Sequence, residues 1–167
     1  MQTEYFPIVD EAGNTIGKAS RTECHSQSFL LHPVVHLHVF NTEGALLLQK
    51  RSANKDIQPN KWDTSVGGHV DYGEAIVAAL MRESAEELGI SNFQPQFLFR
   101  YVFRSSVEAE LVHSYSCVYD GEIHFDPNEI SEIRFWQMDE IEEKLSEGIF
   151  TENFAMEYNK IKGLSKF

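Results

Sequence analysis

The chain has 167 residues and a formal net charge of −12, from 26 acidic residues against 14 lysines and arginines. This balance excludes a protein that wraps a nucleic-acid polymer, because contact with a phosphate backbone requires a stripe of basic residues. The length and a hydrophobic fraction of 42% fit a packed globular protein. We therefore expect one domain over residues 1–167.

The cysteines and the N-terminal stretch indicate in which cellular compartment the protein is expected. Cys24 and Cys117 form no CxxC pair, which is typical of a reducing environment. MQTEYFPIVDEAG lacks a basic segment followed by an apolar run, and the most apolar window, SFLLHPVVHLHVF, is too short to span a bilayer. We expect a cytoplasmic protein that does not contact membranes.

The apolar runs, taken in chain order, predict strands separated by turns. YFPIVD and TIGKASR around EAGN predict a hairpin, and VVHLHVF and ALLLQKR around NTEG predict a second, more buried hairpin. After a glycine-rich stretch and a helix, further strands are predicted at FQPQFLFRYVFRS, AELVHSYSCVYDG and EIRFWQM.

Three segments have helical patterns. EAIVAALMRESAEELG predicts a helix that Gly89 ends, DEIEEKLSEG a helix that Gly148 ends, and TENFAMEYNKIK a helix with Thr151 as its N-cap. Strands outnumber helices and do not alternate strictly with them. The predicted fold class is therefore α/β, with a mixed β-sheet between α-helices rather than a doubly wound parallel sheet.

The first of these helices has two contrasting faces. A helical wheel predicts a buried stripe formed by Val77, Leu80, Met81, Ser84 and Leu88. The opposite face carries Glu83, Glu86 and Glu87, whose spacings of three and four bring the carboxylates within reach of one another. Such a cluster is either a solvated acidic face or a site for Mg²⁺, which prefers oxygen ligands and often binds carboxylates together with phosphates.

The spacing around this helix matches a known signature. Gly68 is followed after five residues by Glu74, and after seven more by RESAEELGI, which runs from Arg82 to Ile90. This stretch resembles the Nudix (MutT-like) hydrolase box, Gly-x5-Glu-x7-Arg-Glu-aliphatic-x-Glu-Glu-x-Gly-aliphatic. All the fixed residues are present, and the one departure is Ser84 at a position that is usually aliphatic. The resemblance implies the α/β/α Nudix fold.

Further matches resemble the branch of that superfamily that contains isopentenyl diphosphate isomerase. They include IVDEAGNTIGKASR, ECH, LLLQKRSANK and WDTSVGGHV. In the isomerases this last stretch reads Ser-Val-Cys-Gly-His, and its cysteine moves protons on the isoprenoid skeleton, whereas this chain has Gly67 there. Glycine cannot exchange that proton, and Glu83 and Glu86 are kept where the isomerases depart from the box. The chain is therefore predicted to be a hydrolase.

The resemblance implies metal-assisted hydrolysis of a pyrophosphate linkage, in a nucleoside diphosphate derivative or a similar organic diphosphate. The implied ligands of Mg²⁺ or Mn²⁺ are Glu83, Glu86, Glu87 and a carbonyl near Gly68. The ion would lower the pKa of the attacking water. Gly67 and Gly68 are expected to turn the backbone from strand into loop so that it approaches ions or phosphates closely.

Other residues are given supporting roles. Glu74 would act through water or through Arg82, and Arg82 would orient a glutamate by a bidentate contact. The general base stays open, between a box glutamate, Glu83 or Glu86, and two acids nearer the C-terminus, Glu129 or Glu132. Three basic residues match diphosphate-binding positions of the isomerase-like branch: Arg21, Arg51 and Lys55. A small-molecule diphosphate is thus the predicted partner, and a homodimer is one assembly to consider.

Three histidines predict a second metal site. His25, His32 and His69 match, by resemblance, histidines that bind a divalent ion in the isomerases, where two glutamates complete the site. Glu110 is matched to one of those glutamates, and Val112 replaces the other. Imidazole suits Zn²⁺ or Mn²⁺ better than Mg²⁺. The alternative is a set of ordinary histidines that bind no ion.

Two other functions are weighed against hydrolysis. An isopentenyl diphosphate isomerase-like enzyme would need the missing thiol. A non-catalytic Nudix domain that binds a nucleotide would usually have lost a glutamate of the box, and this chain has lost none.

Overall fold

The computed structural model describes residues 2–164, so the predicted domain limits at residues 1 and 167 lie outside the described residues. The strands are β1 Tyr5–Val9, β2 Thr15–Ser20, β3 Leu31–Phe40, β4 Leu46–Arg51, β5 Trp62–Asp63, β6 Val66–His69, β7 Gln96–Arg104, β8 Ala109–Val118 and β9 Ile130–Trp136. The helices are α1 Arg21–Cys24, α2 Ile76–Leu88, α3 Met138–Lys144 with a 3-10 turn at Leu145–Glu147, and α4 Glu152–Ile161.

Most of the strands form one mixed sheet. Its order is β5-β4-β3-β8-β7, with β6 also paired to β3 and β9 also paired to β4. The β3–β8 pair is parallel and the other pairs are antiparallel. β1 and β2 form a separate antiparallel hairpin, as the sequence predicts.

Alternation along β3 divides the core into two layers, because successive side chains of a strand point to opposite faces. Val35, Leu37 and Val39 pack in a cluster with residues of α2. Phe40 packs in a second cluster with residues of α3 and α4. The sheet therefore lies between helices, and the predicted α/β class with a mixed sheet is confirmed.

The second predicted hairpin, β3–β4, opens almost at once. The two strands pair at Phe40 and Leu46 and then separate, β3 continuing with β6 and β8 and β4 with β5 and β9. The Ser65 hydroxyl bridges the gap: it accepts from the Val39 N–H at 2.9 Å and donates to the Leu47 carbonyl. The gap admits the WDTSVGGH stretch to the centre of the sheet.

The expectation of a loop at Gly67 and Gly68 is wrong. Both glycines lie in β6, paired with His36 and Val35 of β3, and neither has a positive φ. The chain therefore does not use the conformational freedom of glycine here. Gly68 requires the absence of a side chain instead, because atoms of Glu83 occupy the adjacent space, whereas a Cβ at Gly67 would make only an ordinary contact with His36.

α2 agrees with the prediction except in its first turn. It ends at Leu88, with Gly89 in the left-handed conformation at φ 67°. Ser84, the departure from the Nudix box, is fully buried, and its hydroxyl donates to the Leu80 carbonyl at 2.7 Å. Its polar atom is therefore satisfied within the helix. Val77 was predicted to be buried but is 46% exposed, because Ile76 makes the core contact of that turn.

Cys24 and Cys117 are free and buried. Among the helices of residues 2–164, none is both long enough and apolar enough to cross a bilayer. The predicted N-cap of α4 is present, since the Thr151 hydroxyl accepts from the Phe154 N–H at 3.2 Å.

Candidate active site and metal centre

One open cleft of about 1710 Å³ collects most of the predicted site residues. Those that line it are Arg21, His25, Arg51, Lys55, Gly68, His69, Arg82, Glu83, Glu86, Glu87, Glu110 and Glu129. Glu74, His32 and Glu132 are not part of the lining; Glu132 is exposed on β9. Of the four acids considered as general base, the cleft thus contains Glu83, Glu86 and Glu129.

Gly68 lies directly against Glu83. A Cβ added to Gly68 would come within 2.1 Å of Glu83 Cδ and 2.5 Å of Glu83 Oε1. Because a contact this short is impossible, any side chain at position 68 would displace the Glu83 carboxylate or push β6 away from α2. The glycine of the box is needed here for close packing of a strand on an acidic side chain.

Arg82 connects three acids of the box. Its Nε and one terminal nitrogen donate to the two oxygens of Glu74, both at 2.9 Å, which makes the contact bidentate. Nη1 donates to Glu83 at 2.8 Å and to Glu86 at 3.4 Å. Nη2, which bonds to Glu74, also donates to the His69 carbonyl at 3.0 Å. Glu74 therefore contributes to the cleft through Arg82, which fixes the Glu83 side chain beside Gly68.

The three glutamates of α2 differ in exposure, although the sequence predicted one exposed face. Burial raises the pKa of Glu87 to about 8, against the opposing effect of a hydrogen bond from the Gln49 amide at 2.8 Å. Burial also raises the pKa of Glu83, while the Glu86 side chain is 59% exposed. A divalent cation would relieve the cost of desolvating these charges, and an all-oxygen donor set fits Mg²⁺.

The predicted substrate-binding residues reach the cleft, and each forms an ion pair there. The pairs are Arg21 with Glu4 at 3.1 Å, Arg51 with Asp63 at 3.4 Å, and Lys55 with Glu129. Lys61 and Arg104 also line the cleft. Sequence reasoning missed these two because neither occupies a position of the motif. An anionic substrate would compete with the acids for these cations.

A second group of potential ligands adjoins the same cleft, which His25, His69 and Glu108 line while His32 is buried. One atom each from His25, His32, His69 and Glu108 lies within 4.8 Å of the others. The prediction named Glu110 as the carboxylate, and the structure brings Glu108 there instead. Glu108 comes just before β8 and Glu110 is its second residue, so the two glutamates are only two residues apart and the pattern alone could not select between them. Glu110 is buried nearby, where burial raises its pKa to about 7.

The chemistry of this group suits a metal ion. His25 Nε2 and His69 Nε2 are 3.1 Å apart, close to the roughly 3.0–3.4 Å between two nitrogens bound to one ion at about 2.1 Å. His32 Nε2 is buried with no hydrogen-bond partner among the described residues, and its Nδ1 bonds to the Leu30 carbonyl at 2.9 Å. Burial lowers the pKa of all three histidines, which favours the neutral form that binds metals.

α1 positions His25 of this group and was not predicted. Ser20 and Glu23 form a capping box, in which the Ser20 hydroxyl accepts from the Glu23 N–H and the Glu23 carboxylate accepts from the Ser20 N–H. His25 follows directly after the helix, and Arg21 begins it. The Ser-x-x-Glu spacing is a readable sequence signal for such a start.

Comparisons with known proteins agree with this geometry. The family described as the NUDIX domain matches residues 30–154. An uncharacterized Nudix hydrolase of Yersinia pestis is 32% identical over 144 residues, covering 86% of this chain and 79% of that protein. An isopentenyl-diphosphate Delta-isomerase of Citrobacter koseri is 32% identical over 152 residues, covering 87% of this chain and 84% of that protein.

A solved structure extends the likeness to the fold. A Deinococcus radiodurans protein superposes with a TM-score of 0.81 at 25% identity, covering 94% of this chain and 98% of that chain. The NUDIX match spans most of the sequence and includes the complete glutamate set of α2. From the sequence match, the fold and the arrangement of the box residues together, the chain belongs to the Nudix hydrolase family.

Proposed function

We propose that the protein hydrolyses the pyrophosphate linkage of a nucleoside diphosphate derivative or a similar organic diphosphate, with Mg²⁺ or Mn²⁺ as cofactor. The observation that carries this proposal is the complete acidic set of α2, with Glu83 packed on Gly68 and fixed by Arg82. The same cleft contains Arg51 and Lys55, whose charge suits a diphosphate.

The residues divide the chemistry among them. Glu83, Glu86, Glu87 and the Gly68 carbonyl would hold the ion, which when bound would neutralise phosphate oxygens and lower the pKa of a water. The water oxygen forms a bond to phosphorus, the bridging P–O bond breaks, and the leaving phosphate or nucleotide keeps that bond's electrons. Glu83, Glu86 or Glu129 accepts the water proton. Arg21, Arg51 and Lys55 bind the phosphate oxygens.

A substrate survey tests this proposal. Purified protein is incubated with nucleoside diphosphate derivatives and dinucleoside polyphosphates in Mg²⁺ or Mn²⁺, and the product masses are measured. We expect cleavage of at least one compound at a pyrophosphate linkage, with no cleavage after metal removal by EDTA. Products that persist in EDTA would contradict the metal requirement.

Isopentenyl diphosphate isomerisation is the second candidate, because the histidine group lies in the same cleft as the glutamates. We expect Gly67→Cys to fold, since a Cβ there meets His36 Cδ2 at 3.5 Å, an ordinary contact. It should not become an efficient isomerase, because Glu83 and Glu86 would still organise the site for attack on phosphorus. Conversion of isopentenyl diphosphate is followed by NMR, and appreciable isomerisation by this variant would contradict the placement of the chain on the hydrolase side of this branch on the ground of Glu83 and Glu86.

A nucleotide-binding domain without catalysis is the third candidate. It predicts a nucleotide that binds in the presence of Mg²⁺ and is recovered intact after long incubation. The full box argues against this function, because a non-catalytic domain would usually have lost a glutamate of the box, and this chain keeps Glu83, Glu86 and Glu87.

We further propose that His25, His32, His69 and Glu108 hold a second divalent ion, Zn²⁺ or Mn²⁺. His69→Ala should lose this ion while Mg²⁺-dependent hydrolysis persists, since the glutamate site keeps its own oxygen donors. Elemental analysis and anomalous diffraction measure the ion, and His124→Ala is the control because His124 is 71% exposed and outside the group. A protein with no transition metal near these histidines, even after soaking, would contradict this second site.

A further inference from the structure

A buried carboxylate lies on the face of the sheet opposite to α2. Glu157, in the middle of α4, has no exposed surface. It is hydrogen-bonded to His36 Nδ1 at 2.6 Å, His38 Nε2 at 2.8 Å, the Tyr101 hydroxyl at 2.7 Å, and the Ser114 hydroxyl. A carboxylate buried this deeply requires such a set of partners to remain charged.

His36 is the residue of this network that lines the cleft. Its side chain keeps 10% of its surface exposed and lines the cleft, whereas His38 is fully buried. While Nδ1 is committed to Glu157, Nε2 makes no hydrogen bond to any residue of the described range, 2–164. His36 thus lines the cleft and keeps one ring nitrogen, Nε2, without a hydrogen-bond partner among residues 2–164.

Gly67 leaves that nitrogen uncovered. The two residues face each other in the β3–β6 pair, and a Cβ on Gly67 would lie 3.5 Å from His36 Cδ2 and 3.7 Å from His36 Nε2. A side chain at this position would therefore pack on the Cδ2–Nε2 edge of the ring, and Gly67, like His36, lines the cleft. In this chain, glycine at the position of the isomerases' cysteine therefore leaves the Nε2 edge of His36 uncovered.

The surroundings of His36 favour a cation. Burial alone would lower its pKa, but the charge and hydrogen bond of Glu157, helped by Glu110 and Asp63, raise it to about 9. The ionisable groups around it come from α4, β7, β8, β5, β6 and its own strand, and they are Glu157, Tyr101, Glu110, Asp63, His69 and His38. Its nearest counter-charge is Glu157, which bonds to Nδ1 and leaves Nε2 free of an acid among the described residues. The cationic groups of Arg21, Arg51 and Lys55, in contrast, are each paired with an acid.

We propose that His36 is an anion-binding residue of the cleft, whose Nε2–H donates to a phosphate oxygen of the bound diphosphate, with Glu157 as the residue that positions the ring. This proposal rests on the proposed function, since it names a contact to the same substrate class. Phosphate oxygens are acceptors, so they match a fixed cationic donor, and charge-assisted hydrogen bonds are the stronger class.

His36→Asn isolates the contact. The asparagine amide can take the place of Nδ1 and still donate to Glu157, but it removes the Nε2 donor and its charge. We expect the Kd for inorganic pyrophosphate in Mg²⁺, measured by calorimetry, to rise about tenfold or more. The KM of any hydrolysed substrate should rise similarly, with kcat changed much less. Unchanged Kd and KM in the folded variant would overturn the proposal.

His38→Gln is the matched control, because its amide can replace Nε2 towards the same carboxylate from a residue with no surface in the cleft. We expect its melting temperature to fall and its Kd for pyrophosphate to stay unchanged.

Gly67→Ala tests the contact between His36 Nε2 and the anion without changing any residue of the Glu157 network. It decides whether this contact exists if His36→Asn does not fold. The added methyl group packs on Nε2, so the Kd should rise several-fold at an unchanged melting temperature, and an unchanged Kd would count against the proposal.

A spectroscopic readout separates this contact from the chemistry. In ¹⁵N-histidine NMR, His36 should be doubly protonated at pH 7.5, and its Nε2 signal should shift when pyrophosphate and Mg²⁺ are added. A shift without hydrolysis of any diphosphate would leave the anion contact standing and remove the proposed function. Hydrolysis together with an Nε2 signal that pyrophosphate does not change would support the proposed function and overturn the anion contact.

Discussion

Glu87→Gln is expected to lower kcat by at least about 10²-fold, because it removes one charged oxygen ligand from the metal. Folding should be unaffected, since burial already disfavours the charged carboxylate, raising its pKa to about 8. The amide oxygen can still accept from Gln49. Steady-state kinetics in Mg²⁺ measure the effect, and a thermal melt checks the fold.

Glu143→Gln is the control for this loss of charge, because Glu143 is an exposed residue of α3 outside the cleft. We expect it to turn over like the wild type. Glu86→Gln should lose at least about 10²-fold as well, although Glu86 is much more exposed. Near-full turnover in either cleft variant would refute the assignment of these glutamates to the metal.

Gly68→Ala is expected to lower kcat to a similar degree, about 10²-fold, by displacing Glu83 rather than by removing it. The added Cβ would lie 2.1 Å from Glu83 Cδ, so the acid or the strand must move. Overpacking of this kind should also cost about 1–3 kcal/mol of unfolding free energy. Kinetics and chemical denaturation measure the two effects separately.

Gly17→Ala is the matched control, because a Cβ at Gly17 has its nearest neighbour at 3.9 Å, on Ile8. It lies in the β1–β2 hairpin, outside the cleft lining. We expect wild-type kcat in this variant. A Gly68→Ala protein with the same kcat as the control would show that Glu83 does not need its present position.

The sequence predicted α2 and its acids well because both depend on local spacing. A period of 3.6 residues places Glu83, Glu86 and Glu87 together whatever surrounds them, and Gly89 ends the helix through its own backbone conformation. The Nudix box adds Glu74 and Arg82 at fixed distances along the chain. The sandwich of sheet and helices followed from the order of the elements.

Features that depend on the packing of distant segments were not predicted. Glycines have low strand propensity, so VGGH was not recognised as a strand that fills the gap between β3 and β4. The choice of Glu108 over Glu110 depends on how the β7–β8 turn approaches the histidines. Glu157 lies 121 residues from His36, and no pattern within either segment indicates that the two form an ion pair.

The central claim is that water attacks phosphorus in a metal-dependent reaction. The most direct measurement incubates the wild-type protein and Mg²⁺ in H₂¹⁸O with the diphosphate panel and isopentenyl diphosphate, and reads every product by mass spectrometry. We expect ¹⁸O in one phosphate-bearing product of a cleaved pyrophosphate linkage, and no label or product when EDTA is present. Isomerised isopentenyl diphosphate with every P–O–P linkage intact, and no ¹⁸O in any phosphate, would contradict it.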